Sequence, residues 1–377
     1  MMDTVDNDSR KSHDGRERLF DAIVIGGGQT GLSVGHALQE VNADFVILDA
    51  SPRIGDAWRN RWDSLRLFTQ ARWNGLPGMS FPANGSAFVT KDEVADFLER
   101  YAEVMELPVR SGVRVDRLSH DGDEFVVETS DGVLRARNVI VAMADYQKPK
   151  VPDFASNLDD GIVQLHTIDY KNPAQLQDGP VLVVGLGNSG AEIAHDVAAT
   201  HPTLVSGTEF GSIPFRLESG FGRHIGTRLV RFALVRVVNT STPIGRKARP
   251  KMLDKSGPLV RTRPKELEKD GVTRVARITG VEGGKPVTAD GAVLDVSNVI
   301  WCTGFRTGFD WIDLPVFDDS GKPIHERGVV PDQPGLYFVG LFFLHAVWSE
   351  TITGVQPDVR HVTKHLSQHR LAAAPTP

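Results

Sequence analysis

The chain has 377 residues, 40% apolar and 24% charged, with a formal net charge of −6. That length suits about two soluble domains, and the overall charge excludes a protein that holds nucleic acid by charge alone. The single cysteine, Cys302, excludes an internal disulfide, a dithiol reductase and a multi-cysteine metal site, and no metal is expected.

No apolar run approaches the length of a membrane span. Residues 1–19 are polar and lack the apolar core of a signal peptide, so they read as a flexible leader of a cytoplasmic protein. The first strand is expected at Phe20–Ile25, a helix over 32–40, and a second strand at Asp44–Leu48. Thr90-Lys91-Asp92-Glu93 matches a capping box opening a helix through Met105, with Val94, Phe97, Leu98, Tyr101 and Met105 at helical spacing. Strands near Val113–Leu118 and Phe125–Thr129 follow. Asp131-Gly132 supplies hairpin chemistry for a third, Val133–Arg137. Val139–Ala142 is a short buried strand. Residues 145–180 are proline-rich and read as the crossing into a second domain. There Val181–Val184 restarts the pattern of strand, glycine loop and helix. Asn298–Cys302 and Leu336–Val339 read as later strands, and a last helix starts near Pro357.

Two glycine loops carry the strongest signal. Gly26-Gly27-Gly28-Gln29-Thr30-Gly31 follows a strand and precedes a helix. Gly26 permits the turn, Gly28 lets a pyrophosphate approach the backbone, and Gly31 lets helix and sheet pack closely. Asp49, 23 residues after Gly26, suits a ribose-binding carboxylate. Gly185-Leu186-Gly187-Asn188-Ser189-Gly190 repeats the pattern 159 residues later. Two dinucleotide sites in one chain point to electron transfer between a flavin and a nicotinamide. The position that selects the nicotinamide falls at Thr208 or Glu209. A carboxylate at Glu209 leans toward NADH, although Arg216 could reach the 2′-phosphate of NADPH.

The fold class is therefore α/β, two Rossmann-like dinucleotide-binding domains with one inserted in the other. The FAD-binding domain is expected at 20–175 and 290–377, and the NAD(P)H-binding domain at 176–289.

The sequence resembles the class B flavin-containing monooxygenases and the related Baeyer–Villiger monooxygenases over roughly residues 20–370. Gly185–Gly190 followed by Ala191-Glu192-Ile193-Ala194 is similar to the family's nucleotide loop, and Trp301–Arg306 to its linking segment. Gly55-Asp56-Ala57-Trp58 is similar to its flavin-contacting segment, and Asp63–Leu67 through Leu76-Pro77-Gly78 to its substrate-side loop. The resemblance implies that Gly26, Gly28, Gln29, Thr30, Gly31, Asp49 and Trp58 contact FAD, with Phe68, Thr69 and Gln70 near the isoalloxazine. It implies that Gly185, Gly187, Asn188, Ser189 and Gly190, with Thr208 and Glu209, meet NADPH or NADH. The implied reaction reduces FAD, forms a C4a-hydroperoxyflavin with molecular oxygen, and oxygenates a small sulfide, amine or ketone. Phe68 departs from the family's asparagine or histidine and offers no hydrogen bond, which keeps open an NAD(P)H oxidase or flavin reductase that leaks peroxide. A nucleotide-sensing flavoprotein without turnover is the non-enzymatic alternative. No catalytic residue is assigned.

Residues 211–280 hold 16 Lys and Arg against 5 Asp and Glu. Within them 226–238 reads as an amphipathic helix. Packing on its own domain is the default reading; a membrane surface or a second copy of the chain, as in a homodimer, are the others. His345, His361 and His365 are weighed as acid–base groups, and His361 and His365 read better as a surface helix than as metal ligands. Cys302 reads as a small buried hydrophobe. Trp62 and Trp73 could stack on a ligand or simply pack.

Overall fold

In the computed structural model of the chain, residues 18–208, 211–253 and 257–372 are described, with side chains through Gln368. Two parallel five-stranded sheets organise them. In the first the order is Leu336–Phe338, Val139–Val141, Ala22–Ile25, Phe45–Asp49, Val109–Ser111. The strands are continuous Val, Ile and Leu runs because both faces are covered. On one face, Leu32, Val34 and Leu38 of the helix Gln29–Glu40 meet Phe97, Leu98 and Tyr101 of Lys91–Val104, and Val355, Val359, Val362 and Leu366 toward the C-terminus. On the other face lies a meander of Val115–Asp121, Glu124–Thr129 and Gly132–Ala136, which buries Leu118, Phe125, Val127 and Ala136. The expected run Phe20–Ile25 divides at Asp21: Phe20 pairs with Ala136 of the meander, while Ala22 onward enters the parallel sheet.

The capping box is present. Thr90 Oγ1 accepts from the Glu93 N–H at 3.2 Å, and the Thr90 N–H donates to Glu93 Oε2 at 2.8 Å.

The second sheet has the order Val163–His166, Asn298–Trp301, Val181–Val184, Thr203–Ser206, Thr273–Val275. Two of its strands come from stretches expected in the FAD domain. Val163–His166 and Asn298–Trp301, assigned from sequence to the FAD domain at 20–175 and 290–377, belong to the sheet of the inserted domain expected at 176–289. Lys148–Pro149 and Phe305–Arg306, on either side of these strands in the chain, pair antiparallel. The physical reason is that Val181–Val184 needs a buried neighbour on each side, and Asn298–Trp301 supplies one of them.

The two sheets share one arrangement. In each, the strand before the glycine loop lies between the strand that follows the loop helix and a strand from much later in the chain. The strand order reverses there, the place where open α/β sheets bind their ligands.

Candidate functional site

Gly26 has φ +109° and Gly185 φ +110°, a region that side chains other than glycine rarely occupy. A Cβ on Gly31 would lie 1.8 Å from the carbonyl oxygen of Gly26, and one on Gly190 would lie 1.8 Å from that of Gly185. Each helix thus sits on its own loop as closely as glycine allows. Around Gly28 nothing lies within 4 Å of a hypothetical Cβ, so this side of the loop is open at the helix N-terminus, where N–H groups and the helix dipole favour an anion. Gly187 has the same extended conformation as Gly28, with ψ −173° in both.

Asp49 is oriented by two backbone donors. Its carboxylate accepts from the Gly27 N–H at 2.5 Å and the Ser51 N–H at 2.8 Å. Thr30 is buried beneath Gly340, whose Cβ would meet Thr30 Oγ1 at 2.7 Å. Trp58 Nε1 donates to Gln29 Oε1 at 3.3 Å, and Gln29 Nε2 points to the Glu350 carbonyl at 3.5 Å. The first loop, Asp49, Trp58 and the C-terminal lobe therefore converge.

The strand Arg66–Gln70 leads away from this point. Thr69 Oγ1 donates to Asn74 Oδ1 at 2.6 Å, and Asn74 Nδ2 returns a bond to the Thr69 carbonyl at 3.3 Å. Gln70 is fully buried. Its Nε2 donates to the Arg223 carbonyl at 2.9 Å, while its Oε1 has no partner among the described residues. A buried acceptor left open is what a ligand donor would satisfy. Phe68 packs with Phe88, Ile213 and Leu217.

At the second loop, the Asn188 amide is engaged at both ends. Oδ1 accepts from the Val260 N–H at 2.8 Å, and Nδ2 donates to the Pro258 carbonyl at 3.1 Å. The main chain of Asn188, Ser189 and Gly190 forms the first turn of its helix. Thr208 follows Gly207, whose Cβ would lie 2.5 Å from the Leu186 nitrogen, so the strand end rests on the loop. Glu209 lies outside the described residues. Arg216 pairs with Glu266 at 2.8 Å.

Between the sheets, Arg261 donates to the carbonyls of Arg66 at 3.1 Å and Leu67 at 2.7 Å. It borders a cavity of about 440 Å³ with Ser64, Arg66, Glu192 and His195. Burial pushes the Glu192 carboxyl up to about 7, opposed by Arg261 and His195, and its Oε1 has no partner among the described residues. Elsewhere, Tyr146 donates to Glu350 Oε2 at 2.6 Å. Burial raises Glu350 to about 7 against that hydrogen bond. Asn74, Arg261 and Glu350 carried no sequence signal, because their partners are distant in the chain. Glu192 did: it is a carboxylate within the buried run Gly190–Ala194.

The remaining candidates resolve simply. His345 shares a hydrogen bond with Thr240 at 2.9 Å, and burial brings it down to about 4, so it is neutral near pH 7. His365 meets the Tyr337 hydroxyl. Burial pushes the Cys302 thiol up to about 12. Trp62 is core of the inserted domain, beside Tyr170 and Val181. Among the described residues no cluster of His, Cys, Asp or Glu could hold a metal, and no helix is long and apolar enough to cross a membrane.

Residues 23–206 match the family described as pyridine nucleotide-disulphide oxidoreductase. An uncharacterized CzcO-like oxidoreductase of Geobacillus kaustophilus is 38% identical over 357 residues, covering 94% of this chain and all of that one. A flavin-containing monooxygenase from Stenotrophomonas maltophilia superposes with a TM-score of 0.75 at 27% identity, covering 93% of this chain and 99% of that one. The chain belongs to the CzcO-like oxidoreductase family, and flavin-containing monooxygenases are among its structural neighbours. A plant relative is the probable indole-3-pyruvate monooxygenase YUCCA3 of Arabidopsis thaliana, 28% identical over 84% of this chain and 81% of that one.

Proposed function

We propose that the protein binds FAD at Gly26–Gly31 and NAD(P)H at Gly185–Gly190, and uses molecular oxygen to oxygenate a small sulfide, amine or ketone. The observation that carries this reading is the pair of glycine loops, alike in φ, in helix approach and in position at the strand-order reversal. The residues fit the flavin: an open face at Gly28, an oriented carboxylate at Asp49, and a buried unsatisfied acceptor at Gln70. Bound FAD would supply the redox chemistry, taking electrons from the nicotinamide and passing them to oxygen.

The chain's own residues bind and orient. The N-terminal N–H groups at Gln29 and Asn188 face the pyrophosphates, and Asp49 accepts from a ribose hydroxyl. Asn188 holds Pro258–Val260 in place beside the second loop. Thr69, fixed by Asn74, and Gln70, fixed by Arg223, present a defined wall. With Arg216 tied to Glu266, NADH is expected to serve at least as well as NADPH, and a hundredfold preference for NADPH in kcat/KM overturns that part.

Phe68 favours a second reading, an oxidase that releases peroxide, because its apolar cluster offers no donor. The test is to purify the protein, measure bound flavin, and follow NAD(P)H oxidation with peroxide and oxygenated product together. Product sustains the monooxygenase. Stoichiometric peroxide with every sulfide, amine and ketone supports the oxidase. No flavin, and no nucleotide oxidation after adding FAD, overturns both in favour of a nucleotide sensor.

A further inference from the structure

The segment between Gly211 and Thr262 carries a surface that neither glycine loop uses. From Gly222 to Val237 it is one continuous helix with wide π-type turns at both ends. Phe221, Ile225, Leu229 and Phe232 are 50–61% exposed. Their spacing of four, four and three residues sets them in one stripe. Ile244, at the start of the helix Pro243–Leu253, is 60% exposed as well. Isolated exposed apolar residues are ordinary, but a contiguous stripe marks an interaction surface.

The stripe runs through a cationic stretch bounded by Glu218 and Asp254. From Ser219 to Leu253 there are eight Lys and Arg and no Asp or Glu, in a chain whose net charge is −6. Arg228, Arg231 and Arg236, with Arg72 and Trp73, line a hollow of about 420 Å³ beside Phe232. Arg72 and Arg231 both lie 5.6 Å from the Trp73 ring centroid. The Nε of Arg231 is buried there with no acceptor among the described residues. A buried donor in a positive hollow calls for an anion.

We propose that this face docks on an anionic phospholipid bilayer, with the stripe entering the boundary of the acyl chains and the arginine hollow taking a lipid phosphate. A second copy of the chain docked by the same face would set these eight Lys and Arg mostly against one another, with Glu218 the nearest carboxylate in sequence to the stripe. A nucleic acid would leave the apolar stripe unexplained. An anionic lipid surface accepts both features at once. The face is preformed, because Arg249 donates to the Phe343 carbonyl at 3.0 Å and the Thr240 N–H to the His345 carbonyl at 2.8 Å, tying the segment to the C-terminal lobe.

The test is flotation of the full chain with vesicles of phosphatidylglycerol and phosphatidylcholine, against phosphatidylcholine alone. Binding is expected only to the anionic vesicles and is expected to weaken with salt. At about fivefold per cation, R228Q with R236Q should lower partition about 25-fold. Leu229→Ser with Phe232→Ser should abolish it, and both variants should keep the wild-type Tm because these side chains are exposed. Three results overturn the proposal: no binding to anionic vesicles at low salt, binding that neither variant weakens, or a homodimer in solution that Leu229→Ser with Phe232→Ser dissociates.

Discussion

Gly185 lies so close to Cys302 that a Cβ on the glycine would stand 2.2 Å from the cysteine's carbonyl oxygen. The second loop is thereby seated on the end of the neighbouring strand Asn298–Trp301, and the corresponding contact in the first sheet is looser, Gly26 to the Ala142 carbonyl at 3.1 Å. Gly185→Ala meets both this clash and a φ of +110°, so it should cost about 1–3 kcal/mol. KM for NADH should rise at least tenfold while bound flavin is retained. Flavin absorbance of the purified variant and steady-state kinetics check this, and an unchanged KM contradicts it.

Glu192 makes stability depend on pH. Its carboxyl, at about 7 in the fold, sits above its ordinary value of about 4.3, so the folded chain holds the proton more tightly than the unfolded one. The associated stability is complete below that ordinary value and is lost as pH rises through about 7, of order 3 kcal/mol in all. Glu192→Gln should flatten the fall in Tm between pH 5 and 8. Glu350, also at about 7, and Asp358, at about 6, leave a residual slope.

Arg261→Met removes the bonds to the Arg66 and Leu67 carbonyls but keeps an apolar stem. Hydrogen bonds from a charged donor contribute about 1.5–3 kcal/mol each, so a loss of about 3 kcal/mol is expected in urea unfolding. The Glu192 carboxyl, deprived of its main opposing charge, should titrate higher still.

Phe68→Asn places an amide where the chain has an aromatic ring packed on Phe88 and Leu217. Peroxide released per NADH oxidised should fall if the missing hydrogen bond is what uncouples turnover, at a stability cost of about 1–2 kcal/mol. An unchanged peroxide yield assigns uncoupling elsewhere.

Much of the fold was legible because its signals are local. The Thr90 capping box, the Asp131-Gly132 turn and the two glycine loops each act within a few residues. What failed was membership. Val163–His166 is four residues in a proline-rich stretch, and only its pairing with Asn298–Trp301, more than 130 residues later, reveals its sheet. The candidate site divides likewise. Its loops are readable, whereas Arg261 and Asn74 act through carbonyls and amides that a linear pattern does not display.

The insertion also sets an order of assembly during synthesis. Every strand of the second sheet lies between Val163 and Trp301, so that unit can close on itself while the chain is still emerging. The first sheet waits. Val139–Val141 has no outer neighbour until Leu336–Phe338 arrives, nearly two hundred residues and, at about 5–20 residues per second, some 10–40 seconds later. During that interval its unpaired edge is open to wrong partners, so the nascent chain is most prone to aggregate after its inner unit has folded and before its outer one can.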